Sequence, residues 1–432
     1  MQYALFLFYL LGFCFIIRKL RMYEDTGFGP RTWSVVFILK VAASCLNLLV
    51  MNRVYGQSDL VSYYWESMAD LKRLPSEPIW FFKEWLLNWG DISQHLNIFN
   101  PSDARYWTDL GKQFHYKFMT LSNLLSLGNL YVNTIFFGFA FFCGQLLLYR
   151  VFYSRFREDK WALLLAVFFV PAVWFWCSSI NKDGWVLTAF GIILFAVHRI
   201  FYENKKSWLM LFAGLFLLFI VRYFYFVLFL PLLISWLLLR KQVWPVHRTY
   251  LISMTVLLFL FFLPAWLIPE MSPTRIIANK QAEFLQLRGG SDMYLPTLNH
   301  SPWSYVRALP YAFDHVFLRP YPLVESSWRY HLASCSTWFE FILIIGLMLR
   351  MKKYRSNELI PTGLMYFTLV IYLVIGFTVP NLGAIVRYKS EFTALLIPSL
   401  VVLADFRLPQ QWSLWLERLR KPSVNRISEY NK

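Results

Sequence analysis

The sequence predicts an all-α polytopic membrane protein with about eleven transmembrane helices, ten to twelve in all, and two long outer-face loops containing short helices. Three observations carry this. Of 432 residues, 58% are hydrophobic and only 16% charged, against roughly 25% charged in soluble domains. The apolar residues gather into runs of membrane length. The Lys and Arg residues fall in alternate connections between those runs, as the positive-inside bias demands.

The runs lie at 3–17, 33–52, 124–148, 161–178, 185–201, 207–221, 224–239, 249–267, 333–350, 360–378 and 391–404. Each approaches the length needed to cross a hydrocarbon core of about 30 Å. The first has no basic residue before it and no small-residue cleavage site, so it reads as a retained helix. Basic residues mark one face: Arg18, Lys19, Arg21 and Arg31; Arg150, Arg155, Arg157 and Lys160; Arg199, Lys205 and Lys206. They continue with Arg240, Lys241 and Arg248, then Arg350, Lys352, Lys353 and Arg355, and end in a basic tail at 405–432. Taken as cytoplasmic, they put the N-terminus outside and the C-terminus in the cytoplasm. The stretch 208–239 is roughly 32 residues, about 48 Å as one helix, with Arg222 at its middle. A hairpin that brings Arg222 to the outer face accounts for both facts.

The outer face then receives the loops 53–122 and 269–334, with short helices expected near 78–89 and 301–317, the turn at 181–183, Arg222, and the turn at 379–389. The whole chain, 1–432, reads as a single integral membrane domain, without repeats or linkers. The net charge of +17 follows from topology. No finger spacing or RNP-like motif accompanies it, so nucleic acid is not expected as a partner. Five scattered cysteines give neither a CxxC pattern nor a disulfide framework. His300, His315 and His331 lack metal-ligand spacing. Lys40, inside an apolar run, is expected to snorkel toward the cytoplasm.

The candidate chemistry is at the outer face. Asp59 follows Ser58 just beyond a membrane run, with Tyr63 and Tyr64 one helical turn on. As a carboxylate it suits either a helix N-cap or a base for a hydroxyl substrate. Lys182, Arg222, Arg387 and Lys389 are cations on a face that topology does not require to be positive. Each alone is read as an interfacial charge, but together they suit a phosphate, since Arg offers bidentate donors and Lys a point charge. Asn181 and Asp183 flank Lys182, and Arg319 opens an Arg-Pro-Tyr-Pro turn.

The order of these features resembles a known group: Asp59 early, a Pro-x-x-x-Phe-Trp-x-x-Ser-x-x-Lys-Asp turn at 171–183, Arg319-Pro320-Tyr321 late, and ProAsnLeuGly with ArgTyrLys at 380–389. The chain is similar to bacterial multi-pass membrane proteins related to the GT-C glycosyltransferases and the EpsG/Wzy-type polysaccharide polymerases. The resemblance implies an enzyme of the bacterial inner membrane using a polyprenyl-phosphate- or pyrophosphate-linked sugar donor at its periplasmic face, with a glycan or lipid acceptor and membrane lipids as partners. It implies that Asp59 handles the acceptor. Where that pattern often carries paired acids, Asp59 stands between Ser58 and Leu60, with Glu66 next. No nucleotide cofactor is implied, and a divalent cation is left open. A transporter or flippase for a lipid-linked saccharide, and a non-catalytic membrane subunit, are the alternatives.

Overall fold

The computed structural model describes residues 2–54, 59–87, 94–95, 97, 100–240, 245–287, 291–322, 328–355 and 357–420. Ser58, Trp89, Lys241 and the tail beyond 420 lie outside the described residues. In chain order the helices are α1 (Gln2–Lys19), α2 (Pro30–Val54), α3 (Asp59–Arg73), α4 (Pro78–Leu87), α5 (Pro101–Ser126), α6 (Leu130–Arg155), α7 (Lys160–Phe168), α8 (Pro171–Trp176) and α9 (Lys182–Tyr202). They continue as α10 (Trp208–Arg240), α11 (Val246–Leu267), α12 (Pro273–Gln286), α13 (Pro302–Phe313), α14 (Trp328–Leu349), α15 (Leu359–Thr378), α16 (Leu382–Leu403) and α17 (Gln410–Arg420). Among the described residues there is no strand; one isolated antiparallel bridge joins Asp292 and Asn381.

Eight of these helices are long and apolar enough to cross a membrane: α1, α2, α6, α9, α10, α11, α14 and α15. The protein is therefore polytopic and helical. α1 and α11 bury almost none of their surface in the bundle, and Leu258, Phe259 and Leu260 stand exposed in a row. A bilayer, not water, suits such a surface.

The centre of the bundle is the crossing of α6 and α9, made by small residues. A side chain at Gly144 would strike Thr188, and one at Gly191 would strike the Gly144 carbonyl, so the two backbones touch as small-residue faces allow. On the far side of α9, Phe190 meets Phe229, Phe367 and Phe392, tying in α10, α15 and α16.

Two stretches differ from simple spans. The run expected at 161–178 is broken: α7 has 9 residues and α8 has 6, each too short to span. Pro171 lacks an N–H and pushes Val170 to extended backbone (φ −62°, ψ 127°). The run 208–239 is one long apolar helix in extent, but Arg222 has non-helical backbone (φ −151°, ψ 78°). Its neighbours show the chain doubling back there. Gly214 packs on Ile192 and Ile193, Arg222 reaches Asp183, and Phe229 packs on Phe190. The first arm thus runs antiparallel to α9 and the second parallel to it, as the hairpin reading expects.

The two ends of the bundle differ in character. At one end Arg155 pairs with Glu358 at 2.8 Å, Lys160 with Glu417 at 2.7 Å and Arg355 with Glu158 at 3.1 Å. The basic connections after α6, α9 and α14 thus share one end, where Tyr202 closes α9 beneath Arg155. The other end holds the N-termini of α9 and α16, with α3 and α5 packed beside them. In the first long loop the helix expected near 78–89 is α4, but α5, at 26 residues, extends well beyond any short cap. In the second, α12 and α13 fill the region, with a π-type turn at Asp314–Leu318.

Lys40 corrects its expectation. Rather than snorkelling, it is buried, and its ammonium donates to Gln145 Oε1 at 2.6 Å, the Cys177 carbonyl at 3.0 Å and Ser178 Oγ at 3.2 Å.

Candidate functional site

The site starts where α8 stops. Residues 178–181 turn the chain, Asn181 donates its side-chain amide to Ser179 Oγ at 2.8 Å, and α9 begins with Lys182 and Asp183 in its first turn. Asp183 is fully buried, a placement that costs several kcal/mol unless the charge is paired. Two cations supply the pairing. Arg387 Nε donates to Asp183 Oδ2 at 2.6 Å, and Arg222 NH2 lies 3.5 Å from Oδ1. Arg222 arrives because α10 breaks at that residue, and its guanidinium sits 5.1 Å from the centre of the Tyr388 ring.

Arg387 also reaches outward, donating from NH1 to Asp59 Oδ2 at 3.1 Å. Asp59 is the first residue of α3, with its side chain 58% exposed. One guanidinium therefore joins a sealed carboxylate to an open one that lies 328 residues before it in sequence. Lys182 is only 5% exposed, yet among the described residues it makes no hydrogen bond or ion pair. Arg222, Asp59, Arg387 and Lys112 act on it electrostatically. A lysine side chain with unused donors at the same end of the bundle as two guanidinium groups can take an anion as its partner.

Tyr63 and His115 stand behind this cluster, ring centres 4.7 Å apart. Both are buried. Burial first, and then the nearby Asp59, push the Tyr63 hydroxyl above its ordinary range. Burial first, and then the Lys182 charge, push His115 down to about 3, so it is a neutral imidazole. Among the described residues neither of its nitrogens has a hydrogen-bond partner.

His115 and Glu391 were not among the residues singled out from sequence. Glu391 is fully buried, among the described residues neither of its oxygens meets a donor, and Asp183, Arg222 and Arg387 act on it electrostatically. The signal for Glu391 was its spacing: Arg387 and Glu391 are four apart on one helix face. His115 gave no comparable signal.

Other candidates lie elsewhere. Lys389, two residues past Arg387, points to the opposite side of α16. There it meets Glu340 Oε2 at 3.6 Å and the Val316 carbonyl and Thr337 hydroxyl at 3.4 Å. Arg319 pairs with Asp314 at 2.7 Å, which Tyr321 also engages. Tyr64 donates to the Gly128 carbonyl at 3.1 Å, tying α3 to the turn before α6. Among the described residues no three His, Cys, Asp or Glu side chains converge as metal ligands. Asp59 and Asp183 face guanidinium groups instead.

No family model, no curated protein and no solved structure matches the chain.

Proposed function

We propose that the chain is a membrane glycosyltransferase or polysaccharide polymerase that uses a polyprenyl-(pyro)phosphate-linked sugar donor. In this reading the end with Asp59 and Arg387 faces the periplasm of a bacterial inner membrane, and the basic end faces the cytoplasm. The observation that carries it is Lys182, buried and without a partner among the described residues, in the field of Arg222, Arg387 and the open Asp59 carboxylate.

In the reaction, the acceptor hydroxyl gives its proton to Asp59 while its oxygen bonds to the anomeric carbon of the donor sugar. The bond from that carbon to the phosphate oxygen breaks, and its electron pair stays on the phosphate. Lys182, with the unused donors of Arg222 and Arg387, holds the charge that develops there. Arg387 holds Asp59 by one N–H, which positions base and leaving-group site relative to each other.

The test is sugar transfer from a lipid-linked donor in proteoliposomes, with Asp59→Asn, Lys182→Met and Arg387→Ala each compared with the unaltered chain. Loss of transfer on normal insertion is expected for all three; full activity in Asp59→Asn and Lys182→Met together rules the mechanism out. A second reading, transport of a lipid-linked saccharide, draws on Lys40, Lys389 and Glu340, charged groups buried inside the bundle. Movement of the saccharide across the bilayer without covalent change would favour it.

A further inference from the structure

Lys40 has no part in the proposed chemistry, yet it is one of the most fully engaged polar groups in the bundle. It is 2% exposed, and no carboxylate lies within ion-pair distance of it among the described residues. All its hydrogen-bond partners are neutral: Gln145 Oε1, the Cys177 carbonyl and Ser178 Oγ. Three acceptors match the three N–H bonds of an ammonium.

Those acceptors have a common origin in the broken span. In an apolar bundle each helix end leaves carbonyls that must find donors. The Val167 carbonyl would normally accept from residue 171, but that residue is Pro171 and has no N–H. Gln145 Nε2 donates to it instead, at 3.2 Å. Cys177 ends α8, and Lys40 takes its carbonyl. Asn47, further along α2, reaches the Phe175 carbonyl at 3.4 Å. α2 and α6 therefore supply polar side chains to both breaks, and Gln145 links the two by touching Val167 and Lys40 at once. Four residues after Ser178 come Lys182 and then Asp183.

We infer that Lys40 is a positioning residue: anchored by Gln145, it fixes Cys177 and Ser178 so that the following turn delivers Lys182 and Asp183 to the site. A Met at this position fills similar volume but donates nothing, so the turn loses its anchor while the helices that flank it keep their packing.

The test uses the full chain in lipid nanodiscs, with Lys40→Met, Lys182→Met and the double variant. Two quantities are read: hydrogen exchange of the 178–183 amides relative to those of α6 and α9, and affinity for a short-chain polyprenyl pyrophosphate. The second rests on the function proposed above; the first does not. Lys40→Met is expected to speed exchange at 178–183 about tenfold, leave α6 and α9 unchanged, and weaken binding about tenfold. Lys182→Met should weaken binding with no change in exchange, and the double variant should bind no more weakly than Lys182→Met. Unchanged exchange at 178–183, acceleration spread evenly over the chain, or additive losses in the double variant each overturn the inference. If the unaltered protein does not bind the pyrophosphate, the functional reading fails and exchange alone decides the role of Lys40. Should Lys40→Met fail to insert, Ser178→Ala removes one of the three acceptors and should speed local exchange about threefold, with no acceleration overturning the inference.

Discussion

Replacing Arg387 separates its two ion pairs, because they sit in different surroundings. The bond to Asp59 involves a carboxylate that is 58% exposed, while Asp183 is fully sealed. Exposed pairs contribute about 0.2 to 1 kcal/mol, whereas removing one partner of a buried pair costs about 3 to 5 kcal/mol. Arg387→Met should therefore destabilise the fold by about 3 kcal/mol, reduced from the upper figure because Arg222 remains 3.5 Å from Asp183. Asp59→Asn should cost less than about 1 kcal/mol. Arg387→Lys falls between, since an ammonium is a single point of charge and cannot fork between two carboxylates. It should stay with Asp183 and release Asp59, keeping most of the stability and losing sugar transfer. The assay is unfolding in mixed micelles with increasing SDS, run beside the transfer assay. A double-mutant cycle of Arg387→Met with Asp183→Asn should show coupling of about 2 kcal/mol or more. If Arg387→Met proves as mild as Asp59→Asn, or that cycle is additive, the sealed pair is not what holds α16 to α9.

Three further outcomes follow. His115 has a folded-state pKa near 3 against an ordinary 6.5, so the unfolded chain binds more protons between those values and stability must fall as pH drops through that window. The loss should approach about 1.4 kcal/mol per pH unit. Unfolding measured between pH 6.5 and 4.5 should be flatter by that amount in His115→Phe, which faces the same Lys182, Asp183, Arg387 and Asp59 charges. Lys389→Met alone strands Glu340 and should cost about 3 to 5 kcal/mol, while Lys389→Met with Glu340→Leu should recover most of it; SDS unfolding of the two variants beside the unaltered chain checks this. Gly191→Ala must part α6 from α9, because the added carbon meets the Gly144 carbonyl, at a cost of about 1 to 3 kcal/mol by the same assay.

Much of the architecture was readable as length and charge. The hairpin at Arg222 followed from a run too long for one crossing with a cation at its middle, and the basic connections do share one end. What escaped was helix phase. Arg387 and Lys389 were read as parts of one turn at 379–389, but Asn381 caps α16 by accepting from the Ala384 N–H at 3.1 Å. Both cations are therefore helical, and two residues of helix put them on opposite sides. The break at Pro171 was visible as a proline inside an apolar run, yet length alone made 161–178 look continuous. His115 was hidden because the loop at 53–122 showed no membrane-length run, so α5 and the face it turns inward had no signal of their own. Lys40 was judged by its depth in the run, and depth says nothing about acceptors 105 and 137 residues away.

The breaks in the helices explain why charge collects at this end. Asp59 begins α3, Lys182 and Asp183 begin α9, and Arg222 stands where α10 turns back. At each of these places the backbone already lacks helical partners, so a polar environment has to be built whether or not a charged side chain is present. Both acids sit in a first helical turn, where the positive end of the helix dipole favours them by about 0.3 to 1 kcal/mol. Arg387, on a third helix, bridges the two. A cation deep in a continuous helix has no such support: Lys389 there pairs with Glu340, and Lys40 is occupied in repairing a break. Polar cost met once for the backbone is thus shared by the side chains of the site, which is how an otherwise apolar bundle holds three cations and three carboxyl groups within one cluster.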